Sequence, residues 1–285
     1  MQDRKEARPL KSSDMRKQSV LRMLRTSNKL TVEEAMQAFG VSESTVRRLF
    51  AQLEADGEVI RAYGGICCAG RADDDRNYFF ERVKLENPRE KAAIGKSALP
   101  LIKSGDVIYL DSGTTVMSLG AAMADVFRDA AAEDATEKIK AYAELLSSCT
   151  IFTHSLVNLE LLKGHMKVIL LGGEYRDAQR DFCGYLTERA ISSLRFSKCF
   201  IGVDGYSADD GLLAGDFSTA GINRLVTQNS SYRVLLADSS KYRRPSGVSY
   251  APLSEVDCIV TDAGLGSEAC DSLGSAGIKV VIAAQ

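Results

Sequence analysis

Two sets of side chains in this 285-residue chain have types and spacings suited to chemistry. The first is Ser42, Ser44, Thr45, Arg47 and Arg48, within the stretch VSESTVRRLFAQL from Val41 to Leu53. Its hydroxyls and guanidiniums are followed by no carboxylate before Leu53, so the group donates hydrogen bonds to base edges and phosphates. The second set is dispersed: Asp111-Ser112-Gly113-Thr114-Thr115, Thr153-His154-Ser155, Gly172-Gly173, Asp204-Gly205 and Ser239-Ser240-Lys241. Each follows an aliphatic run. Together they offer hydroxyls, carboxylates, an ammonium and backbone N–H groups, the partners a phosphorylated polyol requires.

Helices must position the first set. Val46, Leu49, Phe50 and Leu53 recur at i, i+3, i+4 and i+7, which turns one stripe of a helix toward a core and leaves Ser44, Arg47 and Arg48 outward. Ser42 is the expected N-cap, with Glu43 at the positive end of the helix dipole. Upstream, Val20, Met23 and Leu24 predict a helix within residues 15–27, and Val32, Ala35, Met36 and Phe39 predict a second one. Thr31 and Glu34 form a T-x-x-E capping box for that second helix. Gly40 stands where a chain leaving a helix needs positive φ. Three short helices with this tight turn are a helix-turn-helix, whose last helix enters the major groove of DNA. Beyond it, Val59 to Tyr63 predicts a strand and Gly64-Gly65 a turn, the outline of a β-wing. Arg61, Tyr63 and Gly64 on that wing are expected at the sugar-phosphate backbone, as positioning contacts.

Strands must position the second set. Aliphatic, β-branched runs occur at 106–110, 150–153, 167–171, 199–203, 233–237, 257–261 and 279–283, separated by helical or polar segments. Seven such runs in alternation predict a mostly parallel α/β sheet covered by helices, with ligands at the C-terminal strand ends. Asp111 to Thr115 then sits between a strand and a helix N-terminus, an anion cradle. It is neither a Walker loop nor a dinucleotide fingerprint.

Composition bounds the rest. With 45% hydrophobic and 26% charged residues the chain reads as globular, with two domains. No secretory signal or membrane span is expected, and the first 14 residues read as a disordered tail. The seven cysteines are scattered without a C-x-x-C and the two histidines lack ligand spacing, so neither a disulfide framework, a metal site nor a cofactor is expected, and reduced cytoplasmic thiols are. The net charge of −2 hides a division: residues 1–72 carry 13 basic and 9 acidic groups, the remainder 23 and 29. The basic part is the part expected to meet phosphate.

VSESTVRRL, LEADG and RAYGG closely resemble the N-terminal domain of the DeoR family of bacterial transcriptional regulators. EKAAIGKSA, DSGTT, LLGG, the Gly184 turn, GVDG, LADSSKY and VTD resemble its sensor domain, and the two matches cover most of residues 15–265. The resemblance implies a winged helix-turn-helix at 15–70, a linker at 71–91 and a sugar-phosphate-sensing, oligomerising domain at 92–285. It implies a sensor fold similar to ribose-phosphate isomerase, an effector phosphate against Ser112 to Thr115, and Asp204 and Lys241 facing the sugar. Four positions depart from the family pattern. Leu49 stands where Asp is common, Tyr63 where His is, His154 where Asn is and Thr219 where Glu is. Phe127 to Ser148 reads as an inserted Ala-rich, charged helix, either an oligomer contact or a solvated excursion.

The expected function is a sequence-specific, DNA-binding repressor, dimeric or tetrameric, of a sugar or carbohydrate-derivative operon, controlled by a phosphorylated sugar. The rival is a sugar-phosphate isomerase or deaminase-like enzyme with an accessory DNA-binding domain, in which Asp204 and Lys241 serve as acid and base. No second catalytic carboxylate stands out, and Thr219 in place of Glu points away from turnover.

Overall fold

The structure, a computed structural model, describes residues 16, 17, 19–21, 23, 24, 30–56, 58–62, 65–68, 80 and 82–284, without the side chains of 60–62, 67 and 68. It divides into two compact units, Met1–Arg76 and Asn77–Gln285.

In the first unit, residues 16, 17, 19–21, 23 and 24 are helical. Strand β1 (Leu30–Thr31) leads into helix α1 (Val32–Phe39), whose capping box forms as expected: Glu34 N donates to Thr31 Oγ1 at 3.2 Å and Thr31 N to Glu34 Oε2 at 2.8 Å. Gly40 takes φ 63° and ends the helix in the left-handed region. Helix α2 (Glu43–Ala55) buries Val46, Leu49, Phe50 and Leu53, all at 6% exposure or less. Each such side chain contributes about 1.5–3 kcal/mol on an extended-chain reference, which makes this stripe the main attachment of α2. Strands β2 (Val59–Ala62) and β3 (Gly65–Cys68) pair antiparallel and β1 joins β3, giving the order β1-β3-β2. Gly65 is required there, because a Cβ would lie 2.2 Å from the Leu30 carbonyl oxygen. The pairing of Ala62 with Gly65 leaves a two-residue connection. Its residues, Tyr63 and Gly64, lie outside the described residues, as do the expected tail and the acidic stretch 71–79.

The second unit is built on strands β4 (Val107–Leu110), β5 (Thr150–Thr153), β6 (Lys167–Leu170), β9 (Lys198–Ile201), β12 (Arg233–Leu236), β14 (Cys258–Thr261) and β15 (Lys279–Ile282). All seven expected runs are strands, within one to two residues at each end. They form one parallel sheet in the order β15-β14-β12-β9-β4-β5-β6. Side chains alternate between two cores: Ile108, Leu110 and Phe200 face one, Tyr109, Cys199 and Ile201 the other. The first core is covered by helices α3 (Pro88–Ala98), α4 (Thr114–Ala130), α5 (Glu137–Ser147) and α6 (Leu156–Leu162). The second is covered by α7 (Tyr185–Ser192), α8 (Phe217–Gln228) and α9 (Ser267–Ser275).

Three features differ from expectation. Short antiparallel pieces cap one end: the hairpin β7 (Glu174–Arg176) and β8 (Asp181–Cys183), and the sheet β10 (Gly205–Ser207), β11 (Gly211–Ala214) and β13 (Val248–Ala251). Strands of three or four residues, with β10 and β11 buried throughout, carry no alternation to read. Ser42 occupies the N-cap of α2 without a side-chain capping bond; its Oγ pairs instead with the hydroxyls of Ser44 and Thr45, at 3.1 and 3.0 Å. The stretch 127–148 is no solvated excursion: α5 is capped by Thr136, buries Leu146 and anchors Tyr142 Oη to the Leu99 carbonyl at 2.6 Å.

Candidate functional site

From β4 the chain builds outward through β5 and β6, then returns to β9 on the other side of β4 and builds through β12, β14 and β15. The C-terminal ends of β4 and β9 therefore flank the topological switch point, where open α/β sheets bind ligands. A cavity of about 360 Å³ lies there, lined by Asp111 to Thr115 after β4, Gly202 to Asp204 after β9, and Lys241 after β12. Of the expected effector residues, Asp111, Ser112, Gly113, Thr114, Thr115, Asp204 and Lys241 share this wall.

Two features favour an anion in the cavity. The N-terminus of the 17-residue α4 opens onto it, with Gly113 at the N-cap, extended and supplying no side-chain cap, so the first-turn N–H groups remain donors. Lys241 is 7% exposed, and its ammonium has no hydrogen bond or ion pair among the described residues. An ammonium on the cavity wall with no counter-charge of its own favours an anionic ligand there.

Sequence reasoning missed the opposite wall. Arg176 on β7 grips Asp181 on β8 bidentately, Nε to Oδ1 and Nη2 to Oδ2, both at 2.8 Å, and reaches Asp216 Oδ1 at 3.0 Å and Thr219 Oγ1 at 3.1 Å. Asp216 caps α8, accepting from Thr219 N at 2.9 Å. Ser112 Oγ donates to Asp181 Oδ2 at 2.7 Å and so ties the β4 loop to this hairpin. Burial would raise the Asp181 pKa, but His154 and Arg176 outweigh it and bring it to about 2. Burial likewise disfavours the charged Arg176, yet Asp181 and Asp216 hold its pKa above the ordinary value. Asp111 goes the other way: burial raises it, against the pull of His154 and the N–H groups of Gly202 and Ser112.

His154 lies beneath the cavity, fully buried. Burial, with Asp111 and Asp181 nearby, pushes the Tyr109 phenol well up, so its hydroxyl stays protonated, and it shares a 2.6 Å hydrogen bond with His154 Nδ1 in which either atom can be the donor. Nε2 lies 3.6 Å from Asp181 Oδ2 and 3.8 Å from Asp111 Oδ1, beyond hydrogen-bond length. Its neighbours are also structural: Thr153 Oγ1 donates to the Leu110 carbonyl and Ser155 Oγ caps α6.

The remaining expected residues do not line the cavity. A Cβ on Gly173 would meet Thr187 Oγ1 at 2.2 Å, and one on Gly205 would meet the Arg244 carbonyl at 1.9 Å, so close packing demands both glycines. Gly172 accepts from Thr187 Oγ1 at 3.0 Å, and Gly184 takes φ 85° at the start of α7. Ser239 is bound to Asp262 and Ser240 to Asp238, fixing the turn that aims Lys241. Phe80 and Val83 supply an apolar wall, and the buried Lys91 donates to the Val83 carbonyl at 2.6 Å.

On α2, Ser44, Arg47 and Arg48 are exposed and Thr45 is half-buried. Arg47 pairs with Glu43 one turn back, Nε to Oε1 at 2.7 Å. Arg61 lies on β2 opposite Ile66.

Comparison with known proteins agrees with this division. A DeoR-like helix-turn-helix domain matches residues 16–70, and a DeoR C-terminal sensor domain matches residues 86–129 and 134–263. Only 130–133 of the expected insertion falls outside the matched segments. The lactose phosphotransferase system repressor of Staphylococcus epidermidis is 29% identical over 85% of this chain and 89% of its own. The putative aga operon transcriptional repressor of Escherichia coli O157:H7 is 24% identical over 94% and 93%, and the transcriptional repressor GlcR of Bacillus subtilis 28% identical over 94% and 95%. Ribose 5-phosphate isomerase A of Methanocaldococcus jannaschii overlaps 55% of each chain at 19% identity and a TM-score of 0.37, too distant a likeness to carry an argument. With both of its domains matched in order along the chain, this protein belongs to the DeoR family of transcriptional regulators.

Proposed function

We propose that the chain is a repressor of a sugar or carbohydrate-derivative operon that reads operator DNA through α2 and releases it when a phosphorylated sugar fills the cavity at the ends of β4 and β9. It is a regulator and not an enzyme. The phosphate sits at the N-terminus of α4 among Ser112 to Thr115, with Lys241 as its counter-charge and Asp204 toward the sugar hydroxyls. One observation carries this reading: the unpaired ammonium of Lys241 on the cavity wall beside an open helix N-terminus. Arg176 is held by Asp181, Asp216 and Thr219, so it shapes the cavity instead of neutralising the phosphate. Ser44, Thr45, Arg47 and Arg48 read the major groove, and the wing holds the backbone through Arg61. Two such units, in a homodimer or dimer of dimers, meet the two halves of an operator.

Thermal unfolding of the full chain, with sugar phosphates beside the free sugars, tests the cavity. A ligand at 100 times its dissociation constant adds about 2.7 kcal/mol of stability. At least one phosphorylated sugar is expected to raise the midpoint where its free sugar does not; equal effects from both would remove the phosphate from the site.

A further inference from the structure

Six large hydrophobic side chains are well exposed among the described residues, and four of them gather in one place: Tyr175 (43%), Tyr185 (71%), Leu186 (68%) and Phe217 (83%). Their neighbours lock them together. The Tyr175 ring packs on Phe182 of the paired strand β8, which runs through Gly184 directly into Tyr185 and Leu186 at the start of α7. Phe217 opens α8, and one turn on, a Cβ at Gly221 would lie 3.3 Å from Oε1 of Glu188, one turn into α7. The two helices therefore begin side by side. The ion pair Arg176–Asp216 joins the residue after Tyr175 to the residue before Phe217.

We propose that this patch is the face through which two copies of the chain pair. The choice of a second copy rests on the operator-reading function above, which needs two DNA-binding units, and on the charges around the patch. Glu174, Glu188 and Arg189 place both signs at its edge, with the Arg189 guanidinium 5.9 Å from the Tyr185 ring centre. In a two-fold contact each acid of one copy approaches the base of the other, so a mixed edge complements itself. Membrane surfaces and nucleic acids call for a single sign. At their observed exposures the four side chains supply roughly 500 Å² per copy, about 1,000 Å² across a symmetric contact, the size at which specific interfaces begin. The patch shares β7 and the first turn of α8 with the effector cavity, through Arg176, Asp216 and Thr219.

Sedimentation of the full chain at micromolar concentration tests this with Phe217→Glu and Leu186→Glu, and with Leu85→Glu as a control, since Leu85 is 75% exposed outside the patch. The wild type and the control are expected at twice the chain mass or more. Each patch variant is expected to raise the dissociation constant roughly tenfold or more, with an unchanged circular dichroism spectrum. Should Phe217→Glu fail to fold, Leu186→Glu decides alone. A wild type at single-chain mass, or folded patch variants that sediment like the wild type, would overturn the proposal. Mass is read without DNA or sugar, so this outcome is independent of the repressor reading.

Discussion

Lys241 and Asp181 sit on opposite walls of one cavity and make opposite demands on it. The ammonium is unpaired on the cavity wall, so Lys241→Met, which keeps the length and discards the charge, is expected to leave the unliganded unfolding temperature within a few degrees of the wild type and to weaken sugar-phosphate binding roughly tenfold or more. Calorimetric titration beside thermal unfolding checks both; wild-type affinity in the variant would mean that the phosphate lies elsewhere. Asp181 is already satisfied, by Arg176 and Ser112. With its folded pKa near 2 against an unfolded value of 3.8, it contributes stability that is present above about pH 4 and lost as the pH falls toward 2. Asp111, raised by burial, acts in the opposite sense, so the informative quantity is the difference between wild type and Asp181→Asn. That difference is expected to reach about 2 kcal/mol at neutral pH and to shrink steadily between pH 4 and pH 2. A constant difference across that window would show that the Arg176 pair does not depress Asp181.

Helix α2 shows how far sequence determines an element and where it stops. Its inner stripe follows from a 3.6-residue period, and Leu49, where the family pattern has Asp, proves to be core at 6% exposure. Leu49→Ala is expected to cost the first unit about 2–5 kcal/mol in thermal unfolding. Arg47→Ala removes only an exposed pair with Glu43, worth well under about 1 kcal/mol to the fold. On DNA the order reverses. Arg47→Ala is expected to cost roughly 1–3 kcal/mol and to relax preference at one base pair, measured by fluorescence anisotropy on singly substituted duplexes, and full discrimination in that variant would remove Arg47 from the reading face. The seven parallel strands were equally readable, since a buried strand is a β-branched run. The hairpin β7–β8 was not: Arg176 and Asp181 meet across a turn, and no local pattern marks two polar residues five apart as partners. Glycines were ambiguous for a related reason. Gly173 and Gly205 serve close packing, and in sequence a packing glycine looks the same as one that admits a ligand.

At the scale of the whole chain, the basic residues 1–72 and the acidic remainder separate the part that meets phosphate on DNA from the part that responds to it in solution. Control of the first by the second requires differential affinity: an effector that binds the DNA-incompetent state about 100-fold better shifts the equilibrium by up to about 2.7 kcal/mol, and one that binds both states equally shifts nothing. The decisive measurement is therefore anisotropy of the full-length protein on a duplex recovered by in vitro selection, with and without the sugar phosphate found by thermal unfolding, for the wild type and Lys241→Met. The wild type should lose DNA affinity on the order of 100-fold at saturating effector, and Lys241→Met should bind the duplex equally well with and without it. Unchanged wild-type affinity, with effector occupancy confirmed by the thermal shift, would contradict control of α2 by the cavity at Lys241.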